Sequence, residues 1–369
     1  MVRVWILCSY LAFAFGCTTS TKSTADQVPP SSEENAALQL WELAYGFSES
    51  GLMRRAVRYQ AMEWDQDEPD PELRAILDAE EEQLRSELYA ELERIQGDIH
   101  LLLEAVKLPR ADFGSLHRRK GIELGSTRGR AMIEVAAILW VDADRLAGRG
   151  DYSSSADRLA AAVRLTGHIS DNPAGADGAW TPMTIFDGIA RRLERHQAGY
   201  SVGDRTRLMR ALDQLDPDDP FGTSRGLVEY GASSRAWWEE RRQSIAALDE
   251  TLQTLGANLS VEWSDRWDEI LALSDPRMQI EEVDAIVAGY EDFRRDLAAA
   301  LRDADPARRL ADIEDRAEAG EYGLAARSRN VWAIYRNDRL SRERLRRIEA
   351  WAAGESETFK YQVDDPISE

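Results

Sequence analysis

Cysteine is nearly absent from this 369-residue chain: there are two, Cys8 and Cys17, both near its start. No disulfide framework and no cysteine-based metal site can be built in the rest of the chain. Histidine is almost as scarce. His100, His117, His168 and His196 are scattered without the paired spacing of a metal site, so neither a metal nor another cofactor is expected. Phosphate-cradling glycine motifs are missing, and serine-based catalysis is not expected; no catalytic residue is assigned. Only four of the 46 basic residues are lysine, so positive charge is mostly arginine dispersed among 67 acids. A net charge of −21 makes nucleic acid and anionic lipid headgroups poor partners.

What is present is helical periodicity. Ala131–Val141 has one polar residue, Glu134, among eleven, and a helix apolar on every face belongs inside a bundle. It is too short for a bilayer, which needs about 20 such residues. A turn at Gly148–Tyr152 and an amphipathic run over Ser153–Ile169 predict its antiparallel partner. A capping box at Ser31–Glu34 predicts a first helix. One long helix is expected from Glu72 to Leu108, bent at Gly97, then an irregular stretch over Pro109–Gly125. Thr181-Pro182 opens a helix through His196, and Arg205–Leu215 forms a short one. Further helices are expected over Arg225–Leu255, Ser260–Leu273, Met278–Ala304, Ala307–Ala319 and Leu324–Tyr335. Ser341, with a Leu340–Leu345 staple, caps a last one over Arg342–Ala353. The fold class is all-α, with antiparallel helical hairpins stacked as a solenoid or irregular bundle. Phe359–Val363 is the sole alternating, strand-like run.

The domain reading follows from composition. Residues 1–16 are an export signal: Arg3 precedes an apolar run over Val4–Phe15. Residues 17–32 form a polar, flexible tether. An N-terminal helical domain spans 33–215, ending at the proline-acid cluster Asp216–Pro220. A second helical region covers 221–353, and 354–369 is a frayed tail.

Two resemblances refine this. Phe13-Ala14-Phe15-Gly16-Cys17 resembles the lipobox of bacterial lipoproteins, although Ala14 stands where leucine is commoner. The resemblance implies cleavage before Cys17, a diacylglyceryl thioether on its sulfur and an acylated amino group. Several acyl chains would give a stable membrane anchor where one binds only marginally. Thr18 after the cysteine implies the outer membrane of the bacterial cell envelope, facing the periplasm. Separately, Gly51–Ala56, Gly150–Ala156 and Gly320–Ala325 each place a glycine, a large residue and an alanine after a helix. This is similar to the tetratricopeptide turn, without that repeat's period. Pro109–Ile169 also resembles a set of exported helical bacterial proteins with no assigned activity.

Candidates for chemistry are few. Glu134 is a candidate buried acid, or the partner of an arginine such as Arg130. Phe47–Met53 resembles the Glu-Ser of lytic transglycosylases without their other motifs, so Glu49 is read as a helix end. Arg149-Gly150-Asp151 is explained by its turn. Of eleven tryptophans, Trp237 and Trp238 stand out, because neighbours on a helix cannot both point inward; they are the candidate partner contacts. The expected function is non-enzymatic: a lipid-anchored envelope protein, held to the membrane through its anchor, that binds an envelope protein or peptide. The alternative is an envelope glycan-binding or glycan-hydrolysing protein using tryptophan and carboxylates.

Overall fold

The apolar run is the middle of a 26-residue helix, Glu123–Gly148, on which its neighbours are layered. The computed structural model of the chain describes residues 35–64, 71–109, 111, 123–171, 180–242, 269–322 and 331–362. Residues 34–369 form one compact unit, and the Asp216–Pro220 corner lies within it. In order, the helices are α1 (Ala36–Glu49), α2 (Leu52–Trp64), α3 (Pro71–Arg94), α4 (Gln96–Ala105), α5 (Glu123–Gly148) and α6 (Tyr152–Asp171). Then come α7 (Thr181–His196), α8 (Val202–Leu212), α9 (Thr223–Arg241), α10 (Pro276–Leu301), α11 (Pro306–Glu318) and α12 (Val331–Ala352). The fold is all-α, and no strand occurs among the described residues. No helix described is long and apolar enough to cross a membrane.

Helix α5 is surrounded by α1, α2, α3, α6 and α7. Its residues Val135–Leu139 and Trp140 are fully buried, as an all-round apolar sequence requires. Burying each side chain the size of Ile138 or Leu139 stabilises by about 1.5–3 kcal/mol. Close approach of α7 depends on Gly188: a Cβ there would lie 2.5 Å from the Trp140 ring. The indole therefore lies flush on the α7 backbone.

The three turns that share a glycine behave alike. Gly51, Gly150 and Gly320 have φ of 71°, 81° and 79°, the left-handed region that glycine enters without a steric penalty. At Gly150 and Gly320 the amides close back on the preceding helix (Gly150 N–H to Ala147 O, Asp151 N–H to Leu146 O), which satisfies carbonyls the helix end would orphan. Leu52 and Tyr322 are buried behind their turns, and Ala56 and Ala156 pack without exposed surface.

Several boundaries differ from expectation. The box at Ser31–Glu34 lies outside the described residues, and Asn35 caps α1 by accepting from Ala37 N–H at 3.1 Å. The long helix breaks at Ile95 rather than Gly97. Helix α5 begins at Glu123, inside the stretch read as irregular. Helix α8 starts at Val202 because Ser201 and Asp204 form a reciprocal capping box. The predicted break at Ser341 is absent. Helix α12 runs unbroken through it, and Ser341 is buried mid-helix, while Asp338 reaches forward to Arg342 at i+4.

Helices α9 and α10 pair antiparallel. Gly231 meets Glu291, Arg235 bonds Glu291 at 2.9 Å, and Trp238 Nε1 donates to Asp284 at 2.7 Å. A second apolar cluster joins Leu227 on α9 to Phe293 and Leu297 on α10, Leu310 and Ile313 on α11, and Ile334 and Tyr335 on α12.

Candidate functional site

Buried charge is concentrated just past the apolar core of α5. Asp142 is fully buried and accepts from Arg145 Nε at 2.8 Å and Arg158 Nε at 2.8 Å. Gln96 of α4 joins it at 3.4 Å and also accepts from Arg158. Two residues on, Asp144 faces α7 and takes His196 Nε2 at 3.0 Å, Arg195 at 3.2 Å and the fully buried Arg192 at 3.3 Å. Burial alone would raise the pKa of Asp144, but Arg192, His196 and Arg195 together outweigh it and hold the carboxyl below its ordinary range. Helix α5 is thereby tied to α6 and α7 by charge and to α4 by the Gln96 hydrogen bond.

The same neighbourhood contains Gly199-Tyr200-Ser201-Val202-Gly203, the spacing of a serine nucleophile elbow, which the expectation against serine chemistry had overlooked. The structural context is wrong for that role. Ser201 follows the short 3₁₀ turn Gln197–Gly199 instead of a strand, and its Oγ donates to Asp204 at 2.7 Å as the cap of α8. His196 is bonded to Asp144, and no hydrogen bond joins it to Ser201 among the described residues. Tyr200 OH and Ser155 Oγ pair at 2.9 Å within the core, where burial raises the phenol's pKa. This network braces helices, and its acids and cations are consumed by one another.

A second buried acid sits where α9 meets α12. Asp338 accepts from Thr223 Oγ1 at 2.8 Å and Arg342 Nε at 2.6 Å. Burial raises its pKa, and one arginine does not reverse that. Asp219 lies close by and accepts the amides of Ser224 and Arg225 at the start of α9.

The third arrangement lies along α7 and α12. From Gly354, at φ 80°, the chain turns back beside α12, and residues 359–362 alternate between more and less buried positions, with a bend at Tyr361. They join no sheet. Phe359 N–H donates to Gln197 Oε1 at 2.8 Å, and Gln197 Nε2 donates back to Phe359 O at 3.2 Å. Tyr361 N–H donates to Glu194 Oε1 at 3.0 Å, and Tyr361 O accepts from Arg344 Nε at 3.2 Å. Arg347 Nη1 reaches Lys360 O and Gln362 O at 3.3 and 3.0 Å. The Tyr361 ring is sandwiched between Arg191 and Arg344, with guanidinium carbons 4.2 and 4.1 Å from its centroid, and its hydroxyl bonds Asp187 at 2.5 Å. Phe359, 6% exposed, packs on Trp351. The expectation of a frayed tail is thus corrected for residues 354–362.

The residues singled out from the sequence are dispersed. Cys17 lies outside the described residues. Trp237 is on α9, at a position whose side chain is not described. Trp238 is 1% exposed and secures α9 to α10. Glu134 is half-buried, so the fully buried acids of α5 are instead Asp142 and Asp144. His168 Nε2 bonds Val106 O at 3.1 Å, tying α6 to the end of α4. Glu49 is the last residue of α1, and Arg149–Asp151 forms the hairpin turn. No group of three or more potential metal-ligating side chains occurs among the described residues. The acids of α5 could have been suspected from two aspartates directly following an apolar run. The grip on the tail had one visible trace, the alternation at Phe359–Val363.

No protein-family model matches the chain, and no curated protein or solved structure matches it.

Proposed function

We propose that this protein is a non-enzymatic binding or scaffold module of the bacterial cell envelope, lipid-anchored through Cys17, that takes a protein or peptide partner on its helical surface. The observation that carries the binding half is the way side chains of α7, of the 3₁₀ turn after it and of α12 hold residues 359–362 by their backbone. In peptide recognition, main-chain hydrogen bonds give affinity and pockets for alternate side chains give specificity. The anchoring half rests on the lipobox-like Phe13–Cys17, and the outer membrane on Thr18.

The glycan reading has less support. Among the tryptophans whose side chains are described, Trp140, Trp238 and Trp351 are buried and Trp41, Trp180 and Trp332 are partly buried, so none is a fully exposed ring.

Two experiments test the proposal. Cross-linking in intact envelopes followed by purification is expected to yield a defined adduct; free monomer alone overturns partner binding. Cys17→Ser is expected to move the protein from membrane to soluble fractions, and unchanged retention overturns the anchor.

A further inference from the structure

Helix α12 changes partners halfway along one face. Ile334 and Tyr335 belong to the second apolar cluster, with Phe293 and Leu310, while Leu345, Ile348 and Trp351 belong to the core built on α5. Between them, at the same three- and four-residue spacing, stand Asp338 and Ser341, both buried. The start of α9 repeats the arrangement. Phe221 lies in the α5 core and Leu227 in the second cluster, and between them Thr223 and Ser224 are fully buried. Among the described residues, Trp180 is the one apolar side chain that packs against both clusters. The two clusters therefore meet across a buried polar seam.

Charge in the seam is poorly balanced. Asp338 accepts from Thr223 Oγ1 at 2.8 Å and from Arg342 Nε at 2.6 Å. From the corner before α9, Asp219 lies 3.6 Å from Arg342 Nη2 and 3.5 Å from Arg302 at the end of α10. The Asp218 carbonyl accepts from Arg342 Nη1 at 2.9 Å. Arg225 of α9 is turned to Asp216 and Asp171 instead, and His168 and His196 are bonded to Val106 O and Asp144. One arginine thus serves two buried carboxyl groups. Ser224 Oγ and Arg342 Nη2 are buried without a hydrogen-bond partner among the described residues. An under-satisfied polar junction is a place where local opening costs little.

A proton on Asp338 suits this geometry. Placed on Oδ1, it reverses the Thr223 contact, the carboxyl donating to the threonine hydroxyl, while Oδ2 continues to accept from Arg342. Without the proton, a buried charge stands near Asp219 with Arg342 shared between them, and hydrating it requires the seam to open. Burial and Asp219 both favour the protonated form, so the folded pKa is raised. A raised folded pKa makes this contribution fully present below the ordinary aspartate value and lost as pH rises through the folded one.

We infer that the polar seam is a proton-dependent clasp between the two apolar clusters: a proton held on Asp338 closes α9 against α12, and its release as pH rises loosens the contact between the clusters. The inference is independent of the anchor and of the peptide-binding reading.

The test is hydrogen exchange of the full chain, read by mass spectrometry between about pH 4.5 and 9, with each rate divided by the intrinsic rate at that pH. Each pKa unit between the closed and opened seam is a factor of about ten in the opening equilibrium. Protection of peptides covering residues 219–227 and 334–345 is expected to fall at least about tenfold across the range. Residues 135–141 of α5 are expected to keep theirs. In Asp338→Asn, which cannot titrate, the seam peptides should show no such fall. If that variant alters the circular dichroism spectrum, Asp338→Ser takes its place. Constant protection of the wild-type seam overturns the clasp, as does an equal fall in the non-titrating variant. A fall shared equally by residues 135–141 assigns the effect to global unfolding and overturns it too.

Discussion

Asp144 and Asp338 are both buried to within a few per cent, yet their surroundings drive them in opposite directions. Burial is the largest influence on each and favours the neutral acid in both. Around Asp144, Arg192, Arg195 and His196 converge and reverse that preference. Around Asp338, Arg342 and the Thr223 hydroxyl act alone, and Asp219 opposes them. Burial therefore does not determine the charge of an acid; the number of cations that its packing partners carry does. The first site is a lock between α5 and α7. The second is a compromise where α9 meets α12.

The contrast can be broken by substitution, and the largest effect should come at Asp144. Asp144→Ala leaves Arg192 buried without its counter-charge, and should lower unfolding free energy by about 3–5 kcal/mol in chemical denaturation. Asp144→Leu combined with Arg192→Met should recover most of that, because an apolar pair of similar volume costs no desolvation. A double variant as unstable as the single one would show that the charge pair is not the source.

The approach that brings α7 to Asp144 should be next most sensitive. Gly188→Ala puts a methyl 2.5 Å from a buried Trp140 ring that has nowhere to move, so a loss of about 1–3 kcal/mol is expected. Gly167→Ala is the control within α6. Its Cβ would meet Leu215 at an ordinary 3.5 Å, and the gain in helix propensity should be roughly 0.5–1 kcal/mol. Equal effects at both positions would refute the close-packing account of α5 and α7.

Smallest is Asp338→Asn, which at neutral pH should change stability by about 1 kcal/mol or less, since the ionised wild-type carboxylate is itself disfavoured. Its pH dependence sharpens the comparison. A raised folded pKa means that the contribution of Asp338 is fully present below the ordinary aspartate value of 3.8 and is lost as pH rises through the folded value. For Asp144 the sign reverses: its contribution is present above 3.8 and lost as pH falls through the lowered folded value. Denaturation of wild type, Asp338→Asn and Asp144→Asn across this range should show the first pair diverging in acid and the second converging. Parallel curves would contradict the assignment.

Much of the fold was legible from local pattern. The apolar stripe of Met278–Ala304 put Ile280, Val283, Ile286, Val287, Tyr290, Phe293, Leu297 and Leu301 on one face; five of these eight are buried, and Ile280, Tyr290 and Leu301 are half-buried. The failures are equally particular. Ser341 carries a capping residue's chemistry, but nothing around it breaks a helix, and α12 passes through it. The Gly199–Gly203 spacing has the letters of a catalytic elbow, yet the backbone around it belongs to a helix cap. Candidate site residues were harder still. Trp238 is conspicuous in sequence and buried in structure, whereas Glu194, Gln197, Arg344 and Arg347 carry no motif at all.

What the sequence determined alone is the all-α class and the glycine-marked turns, because a 3.6-residue period and a left-handed φ depend on neighbours a few positions away. Only the tertiary structure decided that Asp144 stays charged and that Phe359–Gln362 is gripped. Those outcomes depend on side chains from remote parts of the chain, such as Arg191, which meets a tyrosine 170 residues further on. Charge state and peptide grip are properties of converging groups, and convergence is created by packing.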